Sequence, residues 1–248
     1  MSKIGVIGAG AWGTSLASVM QRAGNHVVLQ AHEPETVVSI NNYHVNNLFL
    51  PDVVLDPKIR ATTRIDEATD ADAILLVAPA QFLRNVCKKA APTWPANIPA
   101  IICAKGIEQR SCALMSEVVS EVLPEIPIAV LSGPTFAMEV ALDLPTAVTL
   151  ACNDESLGSN LIELMKTSHF RIYRSRDLIG AQSVVLSRTL LLLHAVLLKD
   201  VVLGKILALL WSHAALQKWF VSGWQREHGR RPCQGCPASE TLPLRATI

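Results

Sequence analysis

Excess charge of either sign is missing from this chain: 22 lysines and arginines stand against 21 aspartates and glutamates in 248 residues, a formal net charge of +1. A nucleic-acid partner or an anionic membrane surface calls for a basic excess, so neither is expected. Also missing is a charged segment leading into an apolar one at the start. The first apolar stretch is strand-length and runs into glycines, so the expectation is no secretory signal and a cytoplasmic protein. The apolar stretch Thr189–Leu198 is followed by Lys199 and Asp200 and is too short for a membrane span. Cysteine is scarce and scattered, at Cys87, Cys103, Cys112, Cys152, Cys233 and Cys236, which fits reduced thiols rather than a disulfide framework. Cys233-Gln-Gly-Cys236 has no second pair and no surrounding βαβ unit, and His169, His194, His213 and His228 have no ligand spacing, so no metal is expected. With 50% hydrophobic residues, material for a buried core is ample.

What is present is concentrated at the start. Ile4, Val6 and Ile7 form a short apolar run, Gly8, Gly10 and Gly13 follow at the G-x-G-x-x-G spacing, and Thr14 to Arg22 has helical periodicity. Strand, tight turn and helix in that order open a dinucleotide-binding fold. Gly8 permits the turn, a side chain at Gly10 would obstruct a pyrophosphate, and Gly13 lets the helix lie close to the strand. The helix start offers free N–H groups and partial positive charge. His26–Ala31 reads as the second strand, and Glu33 stands where a carboxylate takes ribose hydroxyls. His32 beside it leaves NAD and NADP both open, since a cation there accepts a 2′-phosphate.

Further on, strands are expected at residues 59–63, 73–78, 100–104, 128–131, 146–150 and 170–173. Helical segments are expected at 35–43, 65–71, 81–89, 112–123, 135–141 and 156–167, and Asn46–Asp52 reads as a loop exposing apolar residues. The alternation predicts an α/β, Rossmann-type, doubly wound, mostly parallel sheet. Ligands of such sheets lie beyond the carboxyl ends of the strands. Two loops fall there, Lys105-Gly-Ile-Glu108 and Ser132-Gly-Pro-Thr-Phe-Ala137. Lys105 can hold a phosphate or polarise a carbonyl, and Gly133, Pro134 and Thr135 can present N–H groups and a hydroxyl to an anion.

The segments Gly8-Ala-Gly-Ala-Trp-Gly-Thr14, Phe49-Leu-Pro51, Val77-Ala-Pro-Ala-Gln81, Ala104-Lys-Gly-Ile-Glu108, Leu131-Ser-Gly-Pro-Thr-Phe-Ala137 and Leu144-Pro-Thr-Ala147, in this order, resemble the bacterial NAD(P)-dependent glycerol-3-phosphate dehydrogenases. The resemblance covers residues 1 to about 182. It implies reduction of dihydroxyacetone phosphate to sn-glycerol 3-phosphate for phospholipid synthesis, NAD or NADP as cofactor, and a homodimer in intact members. It places cofactor contacts at Ala11, Trp12, His32, Lys105 and Ala137, and substrate contacts at Lys105, Gly133 and Thr135.

After Gln182 the resemblance stops. The family continues with a Gly-Gly-Ala-x-Lys-Asn segment bearing its catalytic lysine and then a helical domain. Here residues 183–248 are first leucine-rich, then basic and aperiodic, a short helical or disordered tail in place of that domain. A shifted reading frame reconciles the two pieces. Ser183-Val-Val-Leu-Ser-Arg-Thr189 written as TCG GTG GTG CTG TCA AGA ACG yields Gly-Gly-Ala-Val-Lys-Asn when the first two bases are dropped. In the same frame Trp211–Trp219 yields Leu-Val-Thr-Arg-Gly-Leu-Ala-Glu-Met, again family-like. The domains expected are therefore a nucleotide-binding unit over 1–182 and an out-of-frame tail over 183–248. Two other readings stand beside an impaired dehydrogenase: an inactive nucleotide-binding remnant or regulatory module, and a related dehydrogenase of hydroxy acids or sugar nucleotides, which the Lys105 and Ser132–Ala137 loops disfavour.

Overall fold

Strands that are apolar at every position fold where both faces of a sheet are covered, and the central strands here obey that rule. The computed structural model describes residues 1–183; the expectations placed on residues 184–248, including the tail domain, its helix and the Cys233–Cys236 pair, lie outside the described residues. The chain runs β1 (Lys3–Ile7), α1 (Ala11–Arg22), β2 (His26–Gln30), α2 (Pro34–Val38) with a π turn over Ser39–Tyr43, β3 (Val45–Asn46), β4 (Leu50–Val54), β5 (Arg60–Thr62) and α3 (Ile65–Thr69). It continues β6 (Ala73–Leu76), α4 (Ala80–Ala90), β7 (Ala100–Ile102), α5 (Met115–Val122), β8 (Ile128–Ser132), α6 (Ala137–Ala141), β9 (Thr146–Cys152), α7 (Glu155–Met165) and β10 (Phe170–Ser175). Helical backbone resumes at 178–183.

Eight strands form one sheet in the order β10-β9-β8-β7-β6-β1-β2-β5. The pairs from β5 to β8 are all parallel, with β1 between β2 and β6, and the chain reverses direction across the sheet at β1/β6. Alternate residues of each strand feed opposite layers. Ile4, Val6, Ala73, Leu75, Ile101, Ala129 and Leu131 face the layer that holds Leu16 and Met20 of α1 and Leu161 of α7. Ile7, Ile74, Leu76, Ile102 and Val130 face the layer of α4 and α5. Each such Leu or Ile taken out of water contributes roughly 1.5–3 kcal/mol, which is why no polar residue interrupts these strands.

The mostly parallel sheet stands as expected with one antiparallel pair, and one expectation is corrected. β9 runs antiparallel to β8, with Leu131 opposite Leu150, while β10 is parallel to β9. The chain between β8 and β9 forms the five-residue helix α6, which packs on α1, and returns antiparallel beside β8. And Asn46–Asp52 is not a loop throughout: β3 and β4 pair as an antiparallel hairpin that buries Asn46, Leu50 and Val53 while leaving Leu48 exposed. The other helices and strands stand where expected, with ends shifted by a few residues.

Candidate dinucleotide and substrate site

The turn between β1 and α1 is set by its glycines. Gly8 has φ +113°, a conformation that L side chains seldom adopt, and its N–H donates to Gln30 O at 3.0 Å, tying the turn to the end of β2. A Cβ on Gly13 would stand 1.8 Å from Gly8 O, so the helix rests directly on the turn. At Gly10, the N-cap of α1, an added Cβ would meet nothing within 4 Å. The close side of the turn is thus closed by packing, and its outer side is open at the helix N-terminus. That is the cradle a pyrophosphate requires.

Three other segments converge on this turn. From β7, Lys105 Nζ lies 5.5 Å from the centre of the Trp12 ring and 3.4 Å from Gly133 O. From β8, the turn at Gly133–Phe136 leads into α6. The Ser15 hydroxyl donates to Ala137 O at 2.7 Å, joining α1 to the first residue of α6. At the other end of α6, the Arg22 guanidinium donates to Val140 O (2.7 Å) and Ala141 O (3.0 Å) and pairs with Asp143 at 3.1 Å. Ala11, Trp12, Lys105, Gly133, Thr135 and Ala137 are thereby gathered in one place, whereas His32 and Glu33 stand just beyond β2, His32 exposed and Glu33 at the N-cap of α2.

The side chains of this place include groups a protein interior rarely leaves idle. Trp12 Nε1 and Thr135 Oγ1 are buried and have no hydrogen-bond partner. Unmade bonds of this kind cost about 1–3 kcal/mol each, which a ligand that accepts or donates there relieves. With the open face at Gly10, they are the observation that a dinucleotide fits the residues present.

The Lys105 loop is held from α4. Gln81 Nε2 donates to Ile107 O (2.8 Å) and Gln81 Oε1 accepts from Gln109 N (3.0 Å). Arg84 grips Glu108 with two bonds of 2.9 Å and Glu121 with one of 2.6 Å, and Ser111 also donates to Glu108. These donors, Arg84 first, hold the Glu108 carboxyl down at about 2. A cleft beside Lys105 is lined by Ala104, Gly106, Ser132 and Gln182. Gln182 is fixed there by bonds to Ser116 N (3.1 Å), Ser116 Oγ (2.9 Å) and Leu178 O (2.9 Å). The helical residues 178–183 therefore deliver the chain to the Lys105 side of the sheet.

Sequence reading missed Asn46, Gln81, Arg84 and Ser15. Gln81 and Arg84 were within a recognised helix but carry no local signal for a partner two dozen residues away. Asn46 lies in the segment whose composition predicts a loop. Its Nδ2 donates to Ala9 O at 2.9 Å and to Thr14 Oγ1 at 2.7 Å, inside the glycine turn.

Among the described residues no group of three or more His, Cys, Asp or Glu could hold a metal ion, and no helix is long and apolar enough to cross a membrane. Residues 3–158 match the model of the N-terminal domain of NAD-dependent glycerol-3-phosphate dehydrogenase. The glycerol-3-phosphate dehydrogenase (NAD(P)+) of Paramagnetospirillum magneticum is 57% identical over 182 residues, 73% of this chain and 66% of that protein. That of Caulobacter vibrioides is 54% identical over 181 residues, 73% of this chain and 55% of the other. The crystal structure of glycerol-3-phosphate dehydrogenase from Coxiella burnetii superposes with a TM-score of 0.74 at 33% identity, covering 78% of this chain and 60% of that one. The chain thus spans between about half and two thirds of the length of the curated relatives it matches. An open glycine cradle at the switch point of a doubly wound sheet and a sequence match running through every loop around it agree: the chain belongs to the NAD-dependent glycerol-3-phosphate dehydrogenase family and carries its Rossmann-type, NAD(P)-binding N-terminal domain.

Proposed function

We propose that residues 1–182 are the nucleotide-binding domain of a cytoplasmic enzyme that reduces dihydroxyacetone phosphate to sn-glycerol 3-phosphate, a phospholipid precursor, and that the chain as encoded does so poorly. The single observation that supports this reading is that Lys105 reaches both Trp12 in the first turn of α1 and Gly133 O in the turn that carries Thr135. A bound nicotinamide cofactor supplies the hydride. The glycine turn holds its pyrophosphate, with Ala11, Trp12 and Ala137 around it and His32 and Glu33 toward the ribose. Lys105 holds the substrate phosphate or draws electron density from the carbonyl, and Gly133 and Thr135 bind the substrate through an N–H and a hydroxyl. Reduction also needs a proton at the developing alkoxide, and a positioned acid is worth ~10²–10⁴ in rate. The lysine that the resemblance assigns to this task is not encoded after Gln182 in the present frame.

The test compares the 248-residue chain with a version whose frame is restored at codon 183. Calorimetric titration with NADH and NADPH reads cofactor binding, and oxidation of the cofactor with dihydroxyacetone phosphate reads turnover. Binding by both proteins with turnover only in the restored one is expected. Turnover by the chain as encoded at the rate of the restored enzyme would show that the tail supplies the acid. No turnover by the restored enzyme, with nucleotide binding intact, would favour an inactive nucleotide-binding module.

A further inference from the structure

The β3–β4 hairpin lies outside the main sheet, yet its one fully buried polar side chain reaches into the glycine turn. Asn46 is 1% exposed. Its amide donates to Ala9 O at 2.9 Å and to Thr14 Oγ1 at 2.7 Å, and the Thr14 hydroxyl is itself 3.3 Å from Ala9 O. Two donors therefore converge on the carbonyl of one peptide. A trans peptide is planar, with its C=O and N–H on opposite sides. Holding the Ala9 carbonyl toward the hairpin consequently turns the Gly10 N–H away from the hairpin, and the space beside Gly10 is open, since an added Cβ there would meet nothing within 4 Å. Gly10 O is occupied in turn by Thr14 N at 2.9 Å, so the next peptide is fixed by the helix. The Ala9 carbonyl is thus held from α1 by the Thr14 hydroxyl at 3.3 Å and from the hairpin by Asn46 at 2.9 Å, with Asn46 also fixing that hydroxyl, and Gly10, lacking a side chain, offers no steric resistance to a flip.

We infer that Asn46 is the positioning residue of the cofactor turn: it orients the Ala9–Gly10 peptide so that the Gly10 N–H faces the dinucleotide phosphate. The inference rests on the nucleotide-binding reading above. Asn46 touches neither cofactor nor substrate in this role; it acts through the Ala9 carbonyl. Replacing it by Asp keeps size and shape but exchanges the donor for an acceptor facing a carbonyl oxygen, so the same peptide is pushed the other way.

The experiment uses the full chain and its N46D, N46A and N41A variants, with NADH affinity by titration and thermal midpoint by differential scanning calorimetry. Asn41 is the control, because it clamps Ala61 from the same segment through two hydrogen bonds (3.0 and 2.8 Å) without touching the turn. N46D and N46A are expected to weaken NADH binding about tenfold or more, while N41A binds like the parent even where its midpoint falls. NADH affinity in folded N46D within twofold of the parent overturns the inference, as does an affinity loss in N41A that tracks its midpoint. If the parent chain itself binds neither NADH nor NADPH, the nucleotide-binding reading fails and the role of Asn46 with it. An N46D that does not fold leaves N46A to decide by the same criterion.

Discussion

The Lys105 ammonium stands over the face of Trp12, 5.5 Å from the ring centre, so the cation of the β7 loop and the aromatic of the glycine turn occupy one spot at the carboxyl end of the sheet. An attraction of this type at an accessible site is worth ~0.5–1 kcal/mol, too little to account for a buried-strand loop being drawn to this place. The gripping of that loop by Gln81 and Arg84 is what sets its position.

Removing the cation should therefore damage chemistry more than cofactor binding. In the frame-restored enzyme Lys105→Met is expected to lower kcat/KM for dihydroxyacetone phosphate by ~10²–10³, with NADH affinity changed less than about tenfold. Steady-state kinetics beside a calorimetric titration reads both. Full activity in the mutant would remove Lys105 from the substrate site.

The second and third glycines of the turn should fail in opposite ways. Gly10→Val has room for its side chain, so its melting temperature is expected to stay near that of the parent while nucleotide binding disappears. Gly13→Ala places a methyl 1.8 Å from Gly8 O and should cost roughly 1–3 kcal/mol or more of stability through forced backbone movement. Denaturant titration of both variants with and without NADH separates the cases.

Acid should loosen the Lys105 loop. Glu108 is held from the ordinary 4.5 down to about 2, first by Arg84 and then by Ser111. A depressed carboxyl stabilises the fold at pH values above its unfolded pKa, and that stabilisation is lost as pH falls from about 4.5 toward 2, where the unfolded chain takes up the proton first. Glu108→Gln should be less stable than the parent at pH 7 and show a flatter decline over that acid range, as read by denaturant midpoints at successive pH values.

Thiol reactivity should sort by burial. Burial pushes the Cys87 thiol up to about 12, and Cys103 and Cys152 upward as well, whereas Cys112 is exposed. The thiolate is the reactive species. Among the described cysteines, iodoacetamide at pH 8 should label Cys112 within minutes and the other three only after unfolding, as peptide mapping by mass spectrometry would show.

Legibility followed the range of the interactions involved. The glycine turn and the two-faced strands declare themselves because backbone conformation and burial at every position constrain residue type one position at a time. The direction of β9 could not be read this way: the residue types of Thr146–Cys152 suit a strand in either sense. Gly133, Thr135 and Lys105 stand on loops at the carboxyl ends of strands, which the strand pattern alone shows. Asn46 was not legible in this way, because a buried asparagine and a solvated one look alike until the partner, here a carbonyl in a turn 37 residues earlier, is known. The same holds for Arg84, whose partner Glu108 lies 24 residues on.

The place of β1 in the sheet has a consequence for synthesis. β1 is made first but lies between β2 and β6, so its second edge is covered only when Ala73–Leu76 has left the ribosome. At typical elongation rates of about 5–20 residues per second that interval lasts roughly 4–14 s. Throughout it the nascent chain presents Ile4, Val6 and Ile7 along an unpaired edge, the kind of edge that chaperones cover and that neighbouring chains on a polysome can extend.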